Sequence, residues 1–233
     1  RYGPLFDAKL VRQLGTDGIW GIQRGHIMFG GNALQSGKDG IWVAGELPQV
    51  SLQGWNDLGL ASGREGVLPD IEGIDVTVGQ LTGYGNTVNA LSIKGSGRNG
   101  LFSMRLASRE MNGDLIWQPQ GNGKLLGRFK NVMLGERHGD PVPAAETVPV
   151  KSEAPDNTSF PAVDVTVEKL TYKGRQLGRL EVELNEADGN VQLERLRLVN
   201  PDGVLKMSGK WQAMPERTQL DLRVDISDAG NIL

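Results

Sequence analysis

With 233 residues the chain has room for one large β domain or two ordinary ones, and its formal net charge of −3 provides no field to draw in nucleic acid or an anionic membrane surface. The lack of cysteine excludes disulfides, thiolate catalysis and Cys-ligated zinc together. Glycine, at 33 residues, is about twice its usual ~7% share, which favours short strands and tight turns over long helices. No apolar run approaches the ~18 residues of a membrane span, and the start carries no signal-peptide pattern.

In chain order, Asp7 to Leu14 has a helical spacing of Phe6, Leu10 and Leu14, but its setting predicts a strand. Val43 to Trp55 reads as a strand pair, and Trp55 to Gly66 as a turn or one short helix at a junction. From about Leu68 to Leu134 valine-rich strands are punctuated by turns at Gly83-Tyr84-Gly85, Arg98-Asn99-Gly100, Asn112-Gly113-Asp114 and Gly121-Asn122-Gly123. Gly139 to Pro161 holds five of the eleven prolines amid Ala, Glu, Ser and Thr, the composition of a linker or long surface loop. Beyond it, alternating strands are separated by Lys173-Gly174-Arg175, Ala187 to Asn190, Asn200-Pro201-Asp202-Gly203 and Met214-Pro215-Glu216. Arg195 to Val199 breaks the alternation, and a bulge is expected there. Ser227-Asp228 offers a helix N-cap, and both ends read as cut from a longer protein.

One block occurs twice. Asp75 to Gly100 recurs 89 positions later as Asp164 to Gly189 without a gap, nine of 26 positions being identical. Fixed-period similarity marks stacked supersecondary units, none of which buries its apolar face alone. The expected organisation is the end of a preceding β repeat over 1–66, a repeat over 67–138, the Pro-rich segment 139–161, and a truncated repeat over 162–233.

Period-two alternation collects aliphatic side chains on one face. They are Ile74, Val76, Val78, Leu91, Ile93, Phe102 and Met104 in the first copy. In the second they are Val163, Val165, Val167, Leu180, Val182, Leu184, Val191, Leu193, Leu220, Leu222, Val224 and Ile226. Burying such side chains is worth about 1.5–3 kcal/mol each, so the face needs a cover. A second sheet, curling of the same sheet, or an apolar ligand would each serve. A unit copied in register extends a surface, which favours an elongated, curved antiparallel meander: an all-β, taco-like sheet with little helix and an open hydrophobic groove. The competing architecture is a closed β-sandwich acting as a scaffold or adhesin-like module that binds protein or glycan.

The ordered set Phe160-Pro161-Ala162-Val163-Asp164-Val165-Thr166-Val167, Leu170, Gly174, Leu177-Gly178, Leu180, Gly209-Lys210-Trp211 and Asp225 to Leu233 resembles the YhdP branch of the AsmA-like/TamB family. Gly45-Glu46-Leu47-Pro48 with Gly54-Trp55 fits the end of a preceding repeat, while Asn89 departs from the pattern where the second copy has Gly178. The resemblance implies a Gram-negative periplasmic protein anchored in the inner membrane by a segment outside this chain. Its β-sheets would line a groove that conducts phospholipid toward the outer membrane. The partners implied are phospholipid acyl chains and neighbouring repeats of the longer protein, with membrane contact through absent segments, no nucleic acid and no cofactor.

Chemistry-bearing constellations are missing from the sequence. His26 and His138 have no local partner at metal-ligand spacing. Asp70, Glu72 and Asp75 cluster, but the alternation sends Asp221 and Asp225 to the solvated face, against a glycosidase pair. The glycine runs near 95–100 and 121–123 lack a following helix and read as hairpin turns. Asn157-Thr158-Ser159 is a sequon inside the Pro-rich segment. A non-enzymatic protein is expected.

Overall fold

The computed structural model describes residues 6–14, 18, 20–32, 39–52, 71–98, 100–135, 161–187, 190–212 and 217–227. They are nearly all β and form one open sheet of thirteen strands whose spatial order is the chain order. The strands are β1 (Phe6–Leu14), β2 (Trp20–Phe29), β3 (Gly40–Ser51), β4 (Ile71–Gly83), β5 (Asn86–Arg98), β6 (Leu101–Ala107) and β7 (Met111–Gln118). They continue as β8 (Lys124–Leu134), β9 (Ala162–Tyr172), β10 (Arg175–Ala187), β11 (Asn190–Asn200), β12 (Gly203–Gln212) and β13 (Arg217–Ile226). The 89-residue offset carries the bounds of β5 onto those of β10, and the strands β4 to β8 correspond in order to β9 to β13.

The expected meander is corrected at three joins. Nine neighbouring pairs are antiparallel, but β2–β3, β3–β4 and β8–β9 are parallel. Hairpins join antiparallel strands, whereas a parallel neighbour needs the chain to return the length of the strand. The long connections between β3 and β4 and between β8 and β9 are therefore returns. Val43 to Ser51 is likewise one strand, not a pair. Pro48 is tolerated inside it because β2 stops opposite Gly45, so among the described residues no strand pairs with β3 at Pro48 on that side to receive an N–H. Asn112-Gly113-Asp114 is strand, not turn: β6 and β7 meet through Ser108 to Glu110, and Gly113 is buried opposite Phe129. The bulge expected in β11 falls at Glu194, between the pairs Glu183↔Arg195 and Leu184↔Leu193.

Two core clusters lie on one face of the sheet. One is built on Val76, Val78 and Leu91, the other on Phe129, Val167 and Leu170. Leu106 and Met111, from the short β6–β7 hairpin, pack against both, so the sheet is bent toward this face between them. The bend brings β5 to the end of β8: the Gly135 N–H donates to Asn86 Oδ1 at 2.8 Å. Glu110 sits in the same gap, 3% exposed, accepting from the Asn89 N–H and Nδ2 at 3.1 Å each. Its own carbonyl accepts from Met133 N–H at 2.7 Å.

Apart from isolated contacts of this kind, each strand packs only on its neighbours in the sheet. Among the described residues no second sheet covers the clusters, which corrects the sandwich alternative. The helix considered for Asp7 to Leu14 is strand β1. The expectations for Trp55 to Gly66, Gly139 to Pro161, Met214 to Glu216 and the Ser227-Asp228 cap fall wholly or partly outside the described residues.

Candidate functional site: a continuous apolar face

The strand registers join into rows that cross the sheet perpendicular to the strands. One row runs Ala8–Ile27–Val43–Ile74–Gly95–Met104–Leu115–Gly127–Val165–Val182–Leu196–Met207–Leu222, each residue the Cα partner of the next. Beside it runs Phe6–Phe29–Gly45–Val76–Ile93–Leu106–Gly113–Phe129–Val167–Leu180–Leu198–Leu205–Val224. Neither row contains a polar or charged side chain over thirteen strands. With strands about 4.8 Å apart, each row is roughly 58 Å long. A third, Gly97–Phe102–Trp117–Leu125–Val163–Leu184–Leu193–Gly209–Leu220, crosses β5 to β13.

These rows contain all but four of the residues singled out by alternation. Val78 and Leu91 pair just beyond the second row, Gly203↔Ile226 continues the face, and Val191 pairs with Trp211. The register therefore puts all nineteen on one face. Alternation missed Leu106, Leu115, Trp117, Leu125, Phe129, Leu196, Leu198, Leu205 and Met207. A usable signal was present in Phe102, Met104 and Leu106 alternating with Ser103 and Arg105. In β7 and β8 it was masked by inward glycines.

Those glycines are filled by neighbours. A Cβ on Gly127 would stand 2.9 Å from Phe129 Cε2 and 3.1 Å from Val165 Cγ2, and one on Gly95 would stand 2.9 Å from Met104 Cγ. Large side chains lean over small positions, so the face is smooth rather than pitted. Burial falls off toward the β13 edge, where Leu220, Leu222, Val224 and Ile226 are all exposed.

The opposite face is charged and cross-linked. Lys94–Asp75, Arg105–Asp114, Arg128–Asp164, Arg179–Glu168 and Arg195–Glu183 are ion pairs at 2.9–3.4 Å. The Arg128 guanidinium, bidentate on Asp164, holds that carboxyl below its ordinary value. Burial pushes the Glu110 carboxyl up, but the hydrogen bonds it receives, chiefly from Asn89, leave it lowered on balance. Exposed pairs of this sort add little stability each, but they keep one face wet and leave the other apolar.

His26 lies on the charged face between Lys9 and Trp42, and His138 falls outside the described residues. Asp75 is ion-paired, and Asp221 and Asp225 are exposed on the charged face. Among the described residues no group of three His, Cys, Asp or Glu side chains could hold a metal ion. No helix among them is long and apolar enough to cross a membrane.

No curated protein and no solved structure is detectably similar to this chain. A single open sheet with one unbroken apolar face agrees with the fold that the resemblance implied, and the model of the YhdP protein family matches residues 1–233: the chain belongs to that family.

Proposed function

We propose that the apolar face is the wall of a lipid-holding and lipid-conducting groove, one segment of an AsmA-like phospholipid transport protein that spans the envelope. The observation that carries this reading is the pair of rows, about 58 Å of uninterrupted apolar surface with no layer of strands upon it among the described residues. Monomeric proteins rarely leave patches above a few hundred Å² uncovered unless something binds there. An acyl chain needs what the rows supply: aliphatic walls, no buried charge and continuity from strand to strand. Each methylene contributes about 0.8 kcal/mol wherever it lies along such a wall, so a chain can slide with little change in energy. The role is non-enzymatic and periplasmic, with β1 and β13 as the edges where neighbouring repeats of a longer protein would add.

The test is mass spectrometry of an organic extract of the purified protein, alongside lipid transfer between vesicles. Co-purifying phospholipid is expected. Val165→Asp and Val182→Asp, Cα partners in the first row and both half-buried, are expected to keep the circular dichroism of the parent and lose transfer. A lipid-free protein, or full transfer by both variants, would sink the reading.

A further inference from the structure

The two copies differ at the border of the sheet where β5 begins and β8 ends. In the second copy β10 and β11 stay paired to Arg179↔Val199, and β11 runs on to Asn200. In the first copy the β5–β6 ladder stops at Ser92↔Ala107, so Asn86 to Leu91 have no β6 partner among the described residues. On the other side, Met133 and Leu134 of β8 lie beyond the last β7 pair, Met111↔Val132. The short β6–β7 hairpin therefore leaves a notch with β5 and β8 as its sides.

The 89-residue offset gives the cause. Asn89 and Glu110 stand where the second copy has Gly178 and Val199. A Cβ on Gly178 would collide with the Val199 carbonyl, so the ladder closes there because that residue is glycine. Asn89 carries the Cβ, and the ladder ends short of it. Its N–H donates instead to one oxygen of the Glu110 carboxylate and its Nδ2 to the other. Ser108 Oγ accepts from the Glu110 and Met111 N–H groups at 3.1 and 3.0 Å, which fixes the turn that aims the carboxylate.

Across the notch the links are single hydrogen bonds, not a ladder: Glu110 to Asn89, Met133 N–H to the Glu110 carbonyl, and Gly135 N–H to Asn86 Oδ1. The two core clusters lie on either side and share only Leu106 and Met111 of the hairpin. A buried carboxylate is stable when fully paired or when hydrated, and costly in between. Once its bonds to Asn89 break, Glu110 must reach water, and it does so by opening the notch.

We infer that the notch is a hinge in the apolar face, latched by Glu110. Engaged, the carboxylate holds the β4–β5 and β8–β9 halves bent toward each other; released, it lets them swing apart and widens the groove at this border. What the opening admits rests on the groove reading above, whereas the hinge itself does not.

Because the chain has no cysteine, spin labels can be placed at Tyr84→Cys and Gln176→Cys, exposed positions on either side of the notch. Their separation is read by double electron–electron resonance. Three strand spacings of a flat sheet would put β5 and β8 about 14 Å apart, and the bonds across the notch hold them closer. Glu110→Ala is expected to lengthen the mean separation by about 5 Å, one strand spacing. Glu110→Gln keeps one acceptor oxygen for Asn89 and is expected to shift it less in the same direction; it is the variant to read if circular dichroism shows Glu110→Ala unfolded. Asp114→Asn, which removes an exposed acid of the same hairpin outside the notch, is expected to leave the separation unchanged. The parent's distance distribution in a folded Glu110 variant, or an equal shift in Asp114→Asn, would overturn the latch. A lengthened separation in a protein whose extract is lipid-free keeps the hinge and removes the groove, and the parent's separation in a lipid-bearing protein does the reverse.

Discussion

Placing one charge at two positions on the same face separates an open sheet from a covered one. Val76 is 3% exposed in the second row, hemmed by Gly45 and Ile93, whereas Leu222 in the first row is 62% exposed. An aspartate at 76 must lose its hydration or its charge, and it loses the aliphatic packing of the Val78–Leu91 cluster as well. Desolvation of an unpaired polar group and the lost packing together give a cost of about 3–5 kcal/mol, a large part of the stability of an ordinary domain. At 222 the same carboxylate stays in water, and surface substitutions of that kind remain within about 0.5 kcal/mol. Urea unfolding followed by circular dichroism would measure both, with lipid content quantified from the same preparations. The Leu222→Asp protein is expected to match the parent in stability and to carry less lipid; Val76→Asp is expected to unfold at much lower urea. If Leu222→Asp loses as much stability as Val76→Asp, a protein layer covers the β13 end of the face and the open-sheet argument fails.

Other consequences concern the backbone and Glu110, the one buried acid among the described residues. Ala90 has φ of 48°, which strains an L-residue, so Ala90→Gly is expected to raise stability by about 0.5–1 kcal/mol in the same unfolding assay. A Cβ on Gly113 would stand 2.7 Å from Phe129 Cα, and backbone cannot yield as a side chain can; Gly113→Ala is expected to cost about 1–3 kcal/mol. The Glu110 carboxyl is lowered from 4.5 in the folded state, so its contribution is present above that value and is lost as pH falls through the folded pKa. A stability titration from neutral pH into acid should therefore be flatter in Glu110→Gln than in the parent. Glu110→Ala should lose about 1–3 kcal/mol at neutral pH through the orphaned Asn89 donors.

Alternation made the faces legible, because the side-chain period of a strand is a local property. Val163, Val165 and Val167 could be assigned to one face from three residues of context. Strand direction is not local: the sequence between Leu134 and Ala162 looks the same whether the next strand runs parallel or antiparallel to β8. The parallel joins were therefore out of reach. Glycine was misread in one specific way. Asn112-Gly113-Asp114 has turn chemistry, but Gly113 is small because Phe129 occupies the place of its side chain. The same substitution of space for side chain at Gly127 hid Leu115 beside it in the first row. The alignment of Trp20, Trp42, Trp117 and Trp211 along one border of the sheet was not foreseen, since one tryptophan near a strand end signals nothing until the registers place four together.

The parallel join has a consequence for that border. Five strands in β4 to β8 are an odd number, so β8 ends at the rim where β4 ended. A hairpin there would start β9 at that rim and reverse every strand after it. Corresponding strands would then present opposite ends, and the border at Trp117 would hold the Lys173-Gly174 turn while Trp211 moved to the other border. A return connection starts β9 opposite Lys124 instead, and β9 to β13 repeat the directions of β4 to β8. Any number of five-strand sets joined this way keeps its tryptophan ends on one border and its I′-type turns, Tyr84-Gly85 and Lys173-Gly174 with all four residues at positive φ, on the other. The return costs a long connection, whose closure entropy grows only by about 0.6 kcal/mol per doubling of length. A surface built this way keeps the same edge chemistry along both borders from one set to the next, which is worth that small cost.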